Sequence, residues 1–263
     1  MKRRSVLLAA LTALAFLTCI SPGQAALTDN LIGYWAFDGS GADGSGNNRP
    51  VTLFGSAAFG TGLFGQALSL PGQADSFAAR TVNDAAFNFD TSDFTVQVWV
   101  NFTNITGQLA FIEKFTGGSG PGWTLCYPVG VQFYAYPAAV DATAPVSFSL
   151  GDWHQLVARR NGTALDIFVD DVKTPSAISG AIPDSPNPLL IGRRQGSQEF
   201  PLNGLIDEAA IWSRALTDDE IAYLWNGGDG NPVGVVPLPS TVILLGSGLV
   251  GLLGAGWRKF RKS

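Results

Sequence analysis

The stretch from Phe94 to Phe102 reads Phe-Thr-Val-Gln-Val-Trp-Val-Asn-Phe. Phe94, Val96, Val98 and Val100 fall on one side, and Thr95, Gln97, Trp99 and Asn101 on the other. A period of two predicts a β-strand with one face against a core. The same period returns in Trp153–Arg160 and again in Ala164–Asp170, where Leu165, Ile167 and Val169 point inward and Asp166 and Asp170 outward. Asn161-Gly162 between these runs is a hairpin signal, and Asp170-Asp171 begins the next turn. Short apolar runs at Leu31–Phe37, Ala67–Leu70, Leu109–Glu113, Trp123–Tyr127, Val131–Tyr136, Leu189–Ile191 and Leu205–Trp212 complete the set. Many short strands separated by turns predict an all-β antiparallel sandwich. One helix is expected after Leu216. Thr217 is its N-cap with Glu220 three residues on, Asp218 and Asp219 suit the first turn, and Gly227-Gly228 end it.

The two ends differ from this middle. Lys2, Arg3 and Arg4 precede an uncharged apolar run from Val6 to Ile20, then Ser21-Pro22-Gly23 and the small residues before Ala25. That is the layout of a secretory signal peptide cut after Ala25 by signal peptidase. The run, about 15 residues, is short for an uncleaved span. At the other end Val242–Trp257 is apolar and rich in Gly, and Arg258, Lys259, Arg261 and Lys262 follow. A transmembrane helix over about 241–257 with a basic tail, 258–263, is the expectation.

Charge is divided the same way. All 21 acidic residues lie between Leu27 and Val236, where only nine basic residues stand against them, a net charge of −12. Such a surface repels nucleic acid. Removal of the leader takes Cys19 with it and leaves Cys126 alone, so the exported domain has no internal disulfide. A domain of about 200 residues buries enough apolar surface without one.

Four stretches in order resemble the LamG-like jellyroll of the concanavalin A-like lectin/glucanase superfamily. They are Leu31–Asp38, Asp43–Asn48, Asp152–Asp171 and Asn203–Thr217, and the resemblance covers about residues 31–226. It implies two antiparallel sheets with the first and last strands side by side. The C-terminal segment resembles a PEP-CTERM sorting signal: Pro237, Pro239 and Ser240, then the apolar run, then the basic residues. Leu238 stands where members usually carry Glu. This resemblance implies a Gram-negative host, membrane insertion at least for a time, and processing by an exosortase near the prolines.

Catalysis finds little support in the residues. Glycoside cleavage needs two carboxyls about 5–9 Å apart. On one strand face i and i+2 lie about 7 Å apart and i and i+4 about 13 Å. The four Glu residues, Glu113, Glu199, Glu208 and Glu220, stand in no such run. Asp207 and Glu208, being adjacent, are expected to point to opposite faces, and Asp166 and Asp170 are too far apart. The single His154 has no Gly-x-Ser-x-Gly elbow with it. Cys126 is expected to be a small core residue.

Two binding sites are candidates. Calcium takes six to eight oxygens, and Asp38, Asp43 and Asp207 would share a structural Ca²⁺ if the fold joins its ends. The competing reading is turn chemistry, since Asp before Gly is a turn residue. Sugar binding needs exposed rings beside polar groups. Tyr134 and Tyr136 share a strand face with Gln132, and Trp123 and Tyr127 share one on the preceding strand. In a hairpin these five form a platform, or the same rings fill the core.

The expected organisation is a signal peptide (1–25), a LamG-like jellyroll (26–230) and a sorting segment (231–263). The expected function is non-catalytic binding of an extracellular glycan or matrix protein at the cell envelope. A structural matrix protein without a specific ligand and an atypical glycoside hydrolase are the alternatives.

Overall fold

The structure is a computed structural model describing residues 27–136, 140–196 and 200–233. Ala25, Pro237, Pro239, Ser240, the apolar segment 241–257 and the basic residues behind it lie outside the described residues. Among the described residues no helix is long and apolar enough to cross a membrane.

The strands are β1 (Leu31–Trp35), β2 (Thr52–Phe54), β3 (Ala58–Thr61), β4 (Gln66–Pro71), β5 (Phe77–Ala79), β6 (Phe94–Asn104), β7 (Leu109–Phe115) and β8 (Gly122–Tyr127). They continue with β9 (Val131–Tyr136), β10 (Val140–Ala144), β11 (Trp153–Asn161), β12 (Ala164–Val169), β13 (Val172–Ala177), β14 (Leu190–Ile191) and β15 (Asn203–Trp212), and helix α1 (Asp218–Trp225) follows. One sheet has the order β13-β12-β11-β6-β15-β4-β3, with β1 also paired to β15, and the other has β10-β9-β8-β7-β14-β5-β2. Every pairing is antiparallel, and the two sheets form a jellyroll-like sandwich. The first and last strands lie side by side, as the resemblance implied.

The core between the sheets is built by the alternating residues. Phe94, Val96, Val98 and Val100 of β6 meet Trp123, Leu125 and Phe133 of the opposite sheet, all buried. Each such side chain contributes about 1.5–3 kcal/mol by leaving water. The outer face of the eight-stranded sheet is not left to solvent either. Helix α1 covers it, with Ile221 and Leu224 packed on Val157, Phe168 and Trp212. Trp99 stacks on Trp225 at 5.4 Å between ring centres. Leu27 and Val233 join this second cluster, and Trp212 Nε1 donates to the Leu27 carbonyl at 2.7 Å.

The capping box at Thr217 and Glu220 forms as predicted. The helix ends one residue before the glycines, at Asn226, which adopts the left-handed conformation (φ 47°). Residues 231–233 pack with the domain rather than with the sorting segment. Asn231 Nδ2 donates to the Tyr223 carbonyl at 2.7 Å, and Val233 is fully buried.

One expectation fails for a definite reason. Asp207 and Glu208 do not diverge as strand neighbours should. The β15–β6 register slips between Asp207 and Ala210, and Glu208 takes a positive φ of 48°. This bulge turns the Glu208 carboxylate onto the outer cluster, where it accepts from the Tyr34 hydroxyl (2.8 Å) and the Val233 amide (3.0 Å).

Candidate functional site

Strand β9 separates its side chains cleanly. Val131, Phe133 and Ala135 enter the core, while Gln132, Tyr134 and Tyr136 stand half-buried on the outer face of the seven-stranded sheet. Cys126 of β8 pairs with Gln132 across the ladder and shares that face. Arg194 and Phe200, which follow β14 in the chain, stand beside them. The result is a groove of about 320 Å³ lined by Cys126, Gln132, Tyr134, Arg194 and Phe200 among others. A smaller hollow of about 190 Å³ shares Gln108 and Leu109 with it, so the depression is elongated.

Arg194 lies over Phe200 at 4.5 Å and over Phe115 at 5.5 Å. Its Nη2 is 3.5 Å from the Cys126 sulfur. Tyr134 stands edge-on to Phe115 (89°, 5.5 Å). Beneath them the fully buried Glu113 accepts from the Gln195 amide at 2.6 Å, and its other oxygen is 3.7 Å from Arg194 Nε. Burial pushes the Glu113 carboxyl up to about 8, against the lowering effect of the Gln195 amide and Arg194.

The five residues of the expected platform do not share one face. Trp123 and Tyr127 point to the inner side. Trp123 is buried, donates Nε1 to the Phe87 carbonyl (2.8 Å) and stacks on Phe133. Tyr127 packs against the core and donates its hydroxyl to the Val146 carbonyl (3.0 Å). The period of two forces this: Trp123 pairs with Ala135, so it opposes Tyr134 in direction. Gln132, Tyr134 and Tyr136 keep the outer face, and Cys126, buried as expected, stands on that face rather than between the sheets.

The three aspartates expected at calcium are not gathered. Asp43 spends both oxygens on backbone amides, accepting from Tyr34 of β1 and Ser45 of its own turn at Oδ1 and from Arg49 at Oδ2. Asp38 and Asp207 both hold the β3–β4 turn. Asp38 accepts from the Gln66 amide, and Asp207 from Leu63 and Phe64. Gly65 in that turn has φ 53°, and a Cβ there would lie 2.0 Å from Asp38 Oδ1. Among the described residues no group of three His, Cys, Asp or Glu side chains is placed to hold a metal ion. His154 is held by Asp170 through a hydrogen bond (Nδ1 to Oδ2 2.7 Å) at a strand end.

Sequence reasoning did not find Arg194, Phe200, Phe115 or Glu113. They come from one strand, β7, and from the chain between β14 and β15, far apart in sequence. The one available signal was Arg193-Arg194 in a body with few basic residues.

Two antiparallel sheets with a grooved outer face define a lectin-like jellyroll sandwich. Residues 73–222 match the concanavalin A-like lectin/glucanases superfamily, and the chain belongs to it. Residues 235–262 match the PEP-CTERM protein-sorting motif, which marks an exported protein sorted to the envelope. No curated protein matches the chain in sequence. Among solved structures, domain 4 of AbnA, a GH43 extracellular arabinanase from Geobacillus stearothermophilus in complex with arabinotriose, is similar. It has a TM-score of 0.61 and 20% identity, over 73% of this chain and 96% of that one. The binding domain of Paraclostridial Mosquitocidal Protein 1 has a TM-score of 0.62 and 19% identity, over 76% of this chain and 52% of that one. The binding domain of botulinum neurotoxin DC in complex with SialylT gives 0.60 and 15%, over 76% and 52%. The chain thus spans about half the length of these toxin domains. At such identities the likeness is one of fold.

Proposed function

We propose that this protein is an exported, non-catalytic glycan-binding module, displayed at the cell envelope through its sorting tail after exosortase processing. The groove over β8 and β9 carries the reading. It presents the Tyr134 ring, the Gln132 amide and the Arg194 guanidinium on a rigid sheet, the mixture of aromatic and polar groups that a sugar needs. Its elongated outline suits an oligosaccharide. The likeness to a toxin binding domain and to an arabinanase domain solved with arabinotriose supports the reading.

The groove is poorly equipped to cut. Among its described lining residues none is acidic, and Glu113 beneath is fully buried. Hydrolysis of a glycoside needs two carboxyls flanking the bond. Reducing-sugar release should therefore be absent from any glycan the protein retains.

The direct test is retention on immobilised glycans by affinity electrophoresis. Tyr134→Ala should weaken retention about 10–100-fold, the loss typical of a central aromatic contact, while melting stays within a few degrees of wild type. Undiminished retention by a folded Tyr134→Ala protein would sink the assignment of this groove.

A further inference from the structure

We infer that the groove selects acidic glycans, with the Arg194 guanidinium receiving a carboxylate or sulfate group of the sugar. The inference rests on the glycan-binding reading and sharpens it. Three observations carry it.

First, Arg194 is built into the groove rather than waving above it. Its side chain is only 14% exposed, and it is sandwiched between Phe200 and Phe115. A guanidinium fixed in this way loses little freedom when it grips a ligand, and its planar donors match the two oxygens of a carboxylate or sulfate. The neighbouring Arg193 is engaged elsewhere, donating to the Ala74 carbonyl and lying over Phe77 at 4.7 Å.

Second, the donors of Arg194 are poorly satisfied within the protein. Nη2 reaches only a sulfur, a weak acceptor, and Nε is buried with no hydrogen-bond partner. Among the described residues the carboxylate at ion-pair distance is Glu113, outside hydrogen-bond reach. Nη2, held only by a sulfur beside the groove, gains from an incoming anion.

Third, the groove is locally cationic in an otherwise acidic body. Gln108, Gln132 and Tyr134 are neutral, and no described lining residue is acidic. Burial pushes the Glu113 carboxyl up to about 8, which weakens its claim on Arg194. The body's net negative charge is screened beyond about 8 Å in physiological salt, whereas Arg194 acts at contact.

A glycan array bearing uronate-, sialate- and sulfate-containing glycans beside their neutral counterparts tests this with the purified protein. Wild type should retain at least one acidic class about tenfold more tightly than its neutral match, and salt should erode the difference. The class retained tells carboxylate from sulfate. Arg194→Gln should lose that preference, its retention of acidic glycans falling to no more than that of their neutral counterparts. Equal retention of acidic and neutral glycans by wild type overturns the inference, as does an unchanged preference in Arg194→Gln. If both classes bind equally and Tyr134→Ala abolishes both, the glycan reading stands and only acid selection falls. If no glycan of either class is retained, the glycan reading falls and takes acid selection with it. Should Arg194→Gln fail to fold, Arg194→Lys keeps the charge and loses the planar fork. It should cut the preference at least about threefold, and an undiminished preference counts against the inference.

Discussion

Arg159 carries a full charge into a site that is almost dry. It donates to Asp166 (2.7 Å), to Asp218 at the start of α1 (2.6 Å) and to the Leu216 carbonyl, with Phe168 beneath it at 4.8 Å. Arg159→Met strands Asp166, which is 4% exposed, although Lys173 Nζ at 3.2 Å relieves part of the loss. Breaking a buried pair costs about 3–5 kcal/mol, so a loss near 3 kcal/mol by denaturant unfolding is expected. Adding Asp166→Leu should recover much of it, and no recovery would show that the pair is not what stabilises the site. The period-two pattern placed Asp166 on the correct face but gave no hint that a helix would cover it. Glu208 was harder to read. Its bulge depends on a positive φ that no residue type at 207–209 advertises, so adjacent acids that look divergent end together. Burial pushes Glu208 up to about 7 and Asp207 up to about 6, with Asp38 adding to both. The native state therefore holds protons that the unfolded chain has already released. Stability falls as pH rises from about 4.5 through 7, by at most about 1.4 kcal/mol per pH unit for each group. Glu208→Gln should flatten that slope in melts taken across the range, and an equally steep slope would remove Glu208 as its source.

At the scale of elements, α1 is the piece that the sequence announced most fully. Thr217 Oγ1 accepts from the Glu220 amide and Glu220 reaches back to the Thr217 amide. Arg214 adds two contacts to the Glu220 carboxylate, at 2.8 and 2.7 Å. Thr217→Ala should cost about 1 kcal/mol, a drop in Tm of about 2–4 °C for a domain of this size. Long alternating strands such as β6 were equally plain. The short edge strands β2 and β3 were not, because three or four partly exposed residues carry no period to detect, nor was the interior β5, which is only three residues long. β13 was hidden by its charge and by Pro175, which an edge strand tolerates and a central one does not.

For the whole molecule, fold and address were legible and the groove was not. A sandwich follows from alternation, which is local. The groove joins residues 126, 134 and 194, and only the ladder order β9-β8-β7-β14 brings them together. The same global pairing explains why the rings divided: a strand must send Trp123 one way if its neighbour sends Tyr134 the other. The domain's end was also set by packing rather than by motif. A chain ending at Asn231 loses the buried Val233 side chain and leaves a Glu208 oxygen without its amide. It should melt about 4–8 °C below one ending at Val233, from roughly 2 kcal/mol of lost burial. Coincident melts would show the last residues to be passengers.

Leu27 and Val233 meet on the helix-covered back of the sandwich, whereas Tyr134 and Arg194 look out from its front. A lamp fixed to a wall by its back plate shines into the room. Held by either of these ends, the domain would likewise turn its grooved side away from whatever holds it.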